Sequence, residues 1–195
     1  MARMPVSVMS PNSRLCQARS RGVTLIEIMV AMLVMAVLTA LAAPSFQAMS
    51  RRNRVDTTLY LLTSHFASAR IAAITHNVPV VICPSRGDGL CRQDSDWGDH
   101  WLMFRDPDGN HQPDEAIDIY RSDPAPRNSQ LRILSTAGRR HLRYLPSGYS
   151  SGNNLTVRIC YDGEVSGLVV VNNAGRIRTA RPRDSEPCAE GATGL

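Results

Sequence analysis

The chain has 195 residues and a hydrophobic fraction of 43%, which is normal for a folded protein and excludes a wholly disordered chain. Its length suits one globular domain of ordinary size with an extension. The formal net charge is +5, and all 22 basic residues are arginines. Arginine presents a planar fork of donors that suits phosphate and carboxylate groups, so this composition allows acidic partners without requiring them.

Charge is spread unevenly along the chain. Between Pro84 and Ile119, three arginines stand against nine acidic residues, a net charge of −6. Between Tyr120 and Arg183, eleven arginines stand against three acidic residues, a net charge of +8. This asymmetry predicts a polarised surface unless folding intermixes the two stretches.

The N-terminal segment has the composition of a membrane anchor. Residues 1–22 contain four arginines and no acidic residue, and 19 uncharged residues run from Ile28 to Phe46. As a helix this run spans about 28 Å, close to the thickness of the hydrocarbon core of a bilayer. Basic residues before the run predict a cytoplasmic N-terminus and an exported C-terminal part, hence a single-pass protein of the inner membrane.

A six-residue sequence at the start of this segment, Gly22-Val23-Thr24-Leu25-Ile26-Glu27, resembles the motif of prepilin peptidase substrates. The resemblance implies that residues 1–22 are a prepilin leader peptide, that cleavage follows Gly22 and that Val23 is N-methylated. The sequence departs from the motif in having Val23 where phenylalanine is usual. In such filaments the carboxylate at the position of Glu27 is thought to pair with the N-terminal amine of a neighbouring subunit, which would neutralise a costly charge in an apolar core.

Two other interpretations of the segment remain. In a simple single-pass anchor, Glu27 would lie at the level of the lipid headgroups. An ordinary secretory signal would be cleaved after the apolar run, where Ala42-Ala43-Pro44 could serve, but the run is long for such a signal.

Helical periodicity continues beyond the uncharged run. Six apolar residues recur at three- and four-residue steps on one face: Val55, Leu59, Leu62, Phe66, Ala69 and Ala73. We therefore predict one helix from about Val23 to about Thr75, with a kink at Pro44. Residues 23–46 would be its transmembrane and filament-core half, and residues 47–77 its amphipathic half, packed on a domain.

After the helix, short β-branched and aromatic runs alternate with turn residues. The predicted strands are Val78–Cys83, Trp101–Arg105, Ala116–Arg121, Leu131–Leu134, His141–Leu145, Thr156–Tyr161, Leu168–Asn172 and Arg176–Thr179. Seven or eight short strands behind one long helix predict an α+β fold, in which residues 78–195 form a head of antiparallel sheets.

The cysteine count predicts disulfides. Cys16 lies in the predicted leader, so four cysteines remain, and an even count in an exported domain indicates two bonds. Three connectivities are possible, and we expect Cys83–Cys91 and Cys160–Cys188; the alternative is free buried thiols. The spacing includes no CxxC pair and does not favour a zinc site.

The layout as a whole resembles the FimT/GspH family of minor pilins and pseudopilins. Beside the N-terminal motif, the resemblance is carried by Val81-Ile82-Cys83-Pro84, by the stretch from Trp97 to Asp106 and by the stretch from Asn172 to Arg178. It implies a type IV pilin-like fold, a long N-terminal helix packed on an antiparallel β-sheet or β-sandwich head in the periplasm. It also implies other pilin or pseudopilin subunits and prepilin peptidase as partners.

Two sequences suggest catalysis or metal binding at first sight. Gly148-Tyr149-Ser150-Ser151-Gly152 matches GxSxG, but a hydrolase would need a helix after it, and a strand-like segment follows, so we predict a turn. Asp106-Pro107-Asp108-Gly109-Asn110 lacks the later glycine and glutamate of an EF-hand loop, so a hairpin turn is expected, with a non-standard cation site as the alternative.

The five histidines form no catalytic spacing: His65, His76, His100, His111 and His141. We expect no enzymatic activity, no cofactor and no bound metal.

The sharpest functional candidate is the arginine-rich sequence after Gly175. In a strand, Arg176 and Arg178 would point to the same side while Ile177 packs inward, and Gly175 permits a tight turn before them. Arg181 and Arg183 extend the positive charge, and a Cys160–Cys188 bond would fix the far end of this segment. Such an arginine ridge suits a phosphate backbone without reading its sequence. The alternative is a solvated edge strand whose arginines resist aggregation.

The resemblance to the FimT/GspH family implies a function for this arginine-rich stretch. FimT-type minor pilins of naturally competent bacteria have a GRxR motif near the C-terminus that binds DNA for uptake, and Gly175-Arg176-Ile177-Arg178 matches it. The expected function is therefore that of a minor type IV pilin that binds double-stranded DNA in natural transformation. The alternative is a GspH-like minor pseudopilin of type II secretion, or a subunit that primes pilus assembly without binding DNA.

Overall fold

A helix of 52 residues, α1 (Leu25–His76), begins the described part of the chain. The structure is a computed structural model that describes residues 22–136 and 138–188. The predicted leader before Gly22, including Cys16, lies outside these residues. Among the described residues, those up to Ser45 belong to one compact unit and those from Phe46 onwards to another.

The first unit consists of the apolar part of α1, whose side chains are all exposed. The helix is long and apolar enough to cross a membrane, by length and composition. At its start the backbone N–H of Glu27 lies 3.4 Å from Thr24 Oγ1, the arrangement of a helix N-cap. The carboxylate of Glu27 lies in the first turn, where the helix dipole favours negative charge.

The second part of α1 buries the face that the periodicity predicts. All six predicted residues are buried: Val55, Leu59, Leu62, Phe66, Ala69 and Ala73. Thr58 and His65 are buried with them, and Thr58 satisfies its hydroxyl by donating to the carbonyl oxygen of Arg54 at 2.8 Å. The predicted helix is thus confirmed to within two residues at each end. The kink at Pro44 stays a prediction.

Nine strands follow α1 in the described residues. They are β1 (Val80–Ser85), β2 (His100–Arg105), β3 (Ile119–Pro124), β4 (Leu131–Ser135), β5 (Leu142–Tyr144), β6 (Ser150–Ser151), β7 (Leu155–Tyr161), β8 (Glu164–Val171) and β9 (Ile177–Ala180). The first sheet has the order β3-β2-β1-β5-β6 and the second the order β4-β7-β8-β9. Every pairing of these strands is antiparallel, so the predicted α+β class with antiparallel sheets is confirmed.

One predicted strand begins later than the sequence indicates. Ala116–Asp118 forms a single turn of 3-10 helix, and β3 starts only at Ile119. The carboxylate of Asp118 accepts the backbone N–H of Glu115 at 3.1 Å and pairs with Arg105 on β2. These two bonds close a tight turn where the β-propensity of the sequence predicted extended chain.

A second difference lies in the sequence that matches GxSxG. Ser150 and Ser151, which we predicted as part of a turn, form β6 and pair with Tyr144 and Arg143 of β5. A strand of two residues is too short to produce an alternating pattern, so no periodicity in the sequence could predict it.

The two sheets and α1 share one core. Trp101 of β2 donates its indole N–H to the carbonyl oxygen of Trp97 at 2.8 Å, and Phe66 of α1 meets Trp97 edge to face at 5.7 Å. In the second sheet Gly167 lies so close to Leu59 that a Cβ there would be 3.0 Å from the leucine side chain. The buried core therefore joins α1 to both sheets, and its members in the described chain all lie at or after Val55.

Both predicted disulfides are present in the structure. Cys83–Cys91 closes the loop after β1, and Cys160–Cys188 joins β7 to the C-terminal segment. The same segment is bound to β8 through the N–H of Val165, which donates to the carbonyl oxygen of Glu186 at 2.9 Å. The chain after β9 is thus fixed at its far end, as the sequence predicts.

We expect Leu62→Ala to lower the free energy of unfolding by about 2–5 kcal/mol, because Leu62 is fully buried and its loss leaves a cavity between α1 and the sheets. Tyr60→Ala is the matched control on the same helix, since Tyr60 is 73% exposed, and it should change stability by less than about 0.5 kcal/mol. Urea denaturation of a fragment starting at Phe46, which keeps the whole core, measures both. Equal losses would contradict this packing.

Candidate nucleic-acid interface

The arginine-rich sequence lies on the edge of the second sheet. β9 is its last strand, and β9 pairs with β8 so that Ile177 is opposite Val171 and Arg178 is opposite Val170. Ile177 packs against the core, whereas Arg178 is exposed. Arg176 directly precedes the strand and is exposed too. The predicted strand thus begins one residue late, but the predicted separation of Ile177 from the two arginines is present.

The turn before Arg176 is specified by Asn172 and Gly175. The backbone N–H of Gly175 donates to the carbonyl oxygen of Asn172 at 2.8 Å, and the N–H of Arg176 donates to the side-chain Oδ1 of Asn172 at 2.9 Å. Gly175 has φ 72°, in the left-handed region that favours glycine. The direction in which Arg176 leaves the turn is therefore determined by two hydrogen bonds and one backbone conformation.

A second turn, around Gly148, supports the first. A Cβ placed on Gly175 would overlap the carbonyl oxygen of Gly148, so the two backbones are in direct contact. The N–H of Ser150 donates to the carbonyl oxygen of Asn173 at 3.0 Å. These contacts join the hairpin of the second sheet to the β5–β6 turn of the first.

Arg70 of α1 connects both turns to the helix. Its Nε donates to the carbonyl oxygen of Gly148 at 3.0 Å, and its Nη2 donates to that of Ala174 at 3.3 Å. Sequence reasoning missed this role of Arg70 because the partners lie 78 and 104 residues away, and no local pattern marks a residue that acts at such a distance.

Arg181 and Arg183 follow β9 and are exposed. Arg181 pairs with Asp56 of α1, a pair in which both side chains are about half exposed and which stabilises the fold little. Within residues 22–136 and 138–188, Arg176, Arg178 and Arg183 form no ion pair with a carboxylate. We call Arg176, Arg178, Arg181 and Arg183 the arginine ridge; three of the four have no such partner there.

Some arginines elsewhere in the head are held by carboxylates. Arg92 pairs with Asp94 and Asp99, and its hydrogen bonds hold the pKa of Asp94 below the ordinary value. Arg143, from the basic stretch, donates to Asp106 at 2.7 Å, with the aspartate side chain fully buried. The Arg143–Asp106 pair therefore joins the basic stretch to the acidic one, whereas Arg176, Arg178 and Arg183 of the ridge have no carboxylate partner in the described chain.

The loop that resembles a calcium site lies in the connection between β2 and the 3-10 turn that precedes β3. The carboxylate of Asp106 is bound by Arg143 and by the N–H of His111 at 3.3 Å, so a guanidinium occupies the position that a cation would need. Asn110 donates to the carboxylates of Asp108 and Asp114. In the described residues no group of three or more His, Cys, Asp or Glu side chains could hold a metal ion.

The serine and the histidines that the sequence offered as candidates for catalysis lie in a strand or pack against other rings. Ser150, in the sequence that matches GxSxG, follows β5 and precedes β7 without the helix that a nucleophile elbow requires. His111 and His141 stack with ring centroids 3.9 Å apart, and burial together with the neighbouring His111 lowers the pKa of His141 to about 4. His65 packs edge to face on Trp101.

The predicted processing and assembly residues lie at the start of the described chain. Gly22 and Val23 precede α1, and Glu27 lies in its first turn. Cleavage after Gly22, methylation of Val23 and pairing of Glu27 with a neighbouring amine stay predictions.

Family profiles match most of this chain. The profile of the type II transport protein GspH matches residues 61–175, and the prokaryotic N-terminal methylation motif matches residues 17–43. Comparison with curated protein sequences gives no significant match.

Solved structures of pilin-like proteins are similar to this chain. The type IV minor pilin FimU of Pseudomonas aeruginosa, in space group P21, is 18% identical with a TM-score of 0.57 and covers 72% of this chain and 99% of its own. Its P65 crystal form is 17% identical with a TM-score of 0.52, and the match covers 69% of this chain and 99% of the FimU chain. The minor pseudopilin EpsH of the type 2 secretion system of Vibrio cholerae is 12% identical with a TM-score of 0.47, and the match covers 67% of this chain and 99% of the EpsH chain. At these identities the likeness to FimU shows the fold alone.

Because the profile of the type II transport protein GspH matches more than half of the sequence, the chain belongs to the GspH family, and it has the fold of its pilin-like neighbours.

Proposed function

We propose that this chain is a minor type IV pilin that binds DNA without sequence preference through the arginine ridge, for DNA uptake in natural transformation. The observation that carries the proposal is the hairpin at Asn172–Gly175, which presents Arg176 and Arg178 on an exposed edge, without carboxylate partners among the described residues. A guanidinium that is neither paired nor buried keeps its donors available for a phosphate oxygen.

The rigidity of the hairpin supports binding over simple solvation. Asn172, Gly175 and Arg70 hold the backbone around Arg176 before any ligand arrives, so less conformational entropy would be lost on binding. Arg183 can add a further contact, whereas Arg181 would have to exchange Asp56 for a phosphate. The match to the GRxR motif of FimT-type pilins agrees with this choice of residues.

The rest of the chain determines where this surface would act. Family membership implies assembly with other pilin subunits, and the apolar helix with its methylation motif suggests membrane anchoring. We further propose that prepilin peptidase cleaves after Gly22, that Val23 is methylated, and that Glu27 pairs with the amine of a neighbour in the filament. Before assembly the protein would lie in the inner membrane with its head in the periplasm. The proposed role is that of a binding subunit and involves no enzymatic step or cofactor.

We expect the double variant Arg176→Gln, Arg178→Gln to lose at least about tenfold in affinity for duplex DNA, and its plot of log affinity against log salt to flatten by about 2 units, because two phosphate contacts are removed. Arg86→Gln with Arg140→Gln is the matched control, since both arginines are exposed and lie outside the ridge. Fluorescence anisotropy of the full chain in a non-ionic detergent, over a series of salt concentrations, measures both.

The outcome separates the two functions. Equal losses in the two double variants would show that net charge and not the ridge binds DNA. Absence of duplex binding by the unaltered chain would reject the proposal and favour a GspH-like pseudopilin of type II secretion or a subunit that primes assembly.

We expect Gly175→Ala to destabilise the fold more than Gly163→Ala and to weaken DNA binding. Both glycines have positive φ, so each substitution costs about 1–2 kcal/mol of backbone strain. A Cβ on Gly163 meets nothing within 4 Å, whereas a Cβ on Gly175 overlaps the carbonyl oxygen of Gly148 and would displace the hairpin. Urea denaturation and anisotropy measure the two effects. If the two variants behave alike in both measurements, the contact with Gly148 does not position the ridge.

A further inference from the structure

The head has one large aromatic side chain exposed to solvent within its described residues, Tyr149. It is 58% exposed, while the other aromatic residues that follow α1 there are buried or half-buried: Trp97, Trp101, Phe104, Tyr120, Tyr144 and Tyr161. Aromatics make up only 5% of the chain. Among the described aromatic residues after α1, Tyr149 is therefore the one whose ring is most accessible to a ligand.

Tyr149 lies at the junction with the ridge hairpin. The residue before it, Gly148, touches Gly175 through its carbonyl oxygen, and the residue after it, Ser150, donates its N–H to Asn173 at 3.0 Å. Both neighbours of Tyr149 are therefore bonded to or packed on the turn that leads directly into Arg176.

Hydrogen bonds also hold the backbone that carries Tyr149. The carbonyl oxygen of Tyr149 accepts the N–H of Leu145 at 2.9 Å, and the N–H of Gly148 donates to the carbonyl oxygen of Leu145 at 2.8 Å. Ser150 continues into β6, which pairs with β5. An aromatic ring on such a backbone loses little entropy on binding, because only its own side-chain torsions remain to be ordered.

We propose that Tyr149 is a base-stacking site beside the arginine ridge, and that the preferred ligand of the head is DNA with unpaired bases, such as a single strand or a frayed end. This inference rests on the proposed DNA binding by the ridge. Arg176 and Arg178 hold successive phosphates, and the ring of Tyr149 stacks on a base of the same strand. Stacking on an aromatic side chain tolerates every base, so the site adds affinity for unpaired DNA without adding sequence preference. In a closed duplex the bases are already stacked on one another, and Tyr149 has no free face to contact.

The test compares three labelled probes of equal length: oligothymidine, an abasic deoxyribose-phosphate strand, and a duplex whose two ends are each closed by an ethylene glycol linker that carries no base. Anisotropy is measured with the full chain in a non-ionic detergent. We expect the unaltered chain to bind oligothymidine more tightly than the abasic strand. Tyr149→Ala should bind oligothymidine about fivefold more weakly and bind the other two probes as before, while Tyr149→Phe should keep the preference. Tyr60→Ala, on an exposed face of α1, is the matched control and should change nothing.

Three results would overturn the stacking site. Tyr149→Ala could bind oligothymidine as well as the unaltered chain does. It could instead lose affinity equally for the abasic strand and the closed duplex, in which case Tyr149 acts on the hairpin and not on a base. Photocrosslinking with iododeoxyuridine in the oligothymidine could attach elsewhere than at the peptide that contains Tyr149. Failure of the proposed function looks different, because duplex binding would then be absent or insensitive to Arg176→Gln with Arg178→Gln.

Discussion

The packing of α1 on both sheets is the constraint on which the rest of the head depends. Leu62 and Phe66 are fully buried in the core, and Leu59 lies so close to Gly167 of the second sheet that a Cβ there would be 3.0 Å from its side chain. A helix held in this way can also position polar groups at its end. Arg70 donates from that position to two carbonyl groups, that of Gly148 in the β5–β6 turn and that of Ala174 in the β8–β9 turn. The ridge hairpin is thus oriented by the same helix that organises the core.

Local patterns in the sequence predicted the parts of this fold that local physics determines. The apolar face of α1 follows from the helical period, and most strands follow from β-branched runs between turn residues. The start of β3 was predicted wrongly because Asp118 forms a tight turn with Glu115 and a long-range pair with Arg105. The contacts that build the candidate site, from Arg70 to Gly148 and Ala174, join residues far apart in the chain, so no window of sequence contains them.

Charge shows the same division between local and long-range information. The acidic stretch before Ile119 is visible in the sequence, yet its carboxylates are largely used inside the head, with Arg92 on Asp94 and Asp99 and Arg143 on Asp106. In the described chain Arg176, Arg178 and Arg183 of the ridge have no such partner, as is also true of the exposed Arg86 and Arg140. The composition predicted an excess of arginine, but only the fold could determine which arginines stay available.

The position of the ridge on an edge strand allows a second physical explanation, because charged side chains on an edge strand also prevent pairing with another sheet. That role requires charge on the strand but no particular turn before it. Here the turn is specified separately: Gly175 has φ 72°, Asn172 accepts the N–H of Arg176 at 2.9 Å, and Arg70 donates to the neighbouring carbonyl group. Three constraints on the backbone before Arg176 contribute nothing to edge protection, whereas they lower the entropy lost when a ligand is bound. They therefore favour recognition of a ligand over protection of the edge as the reason for these arginines.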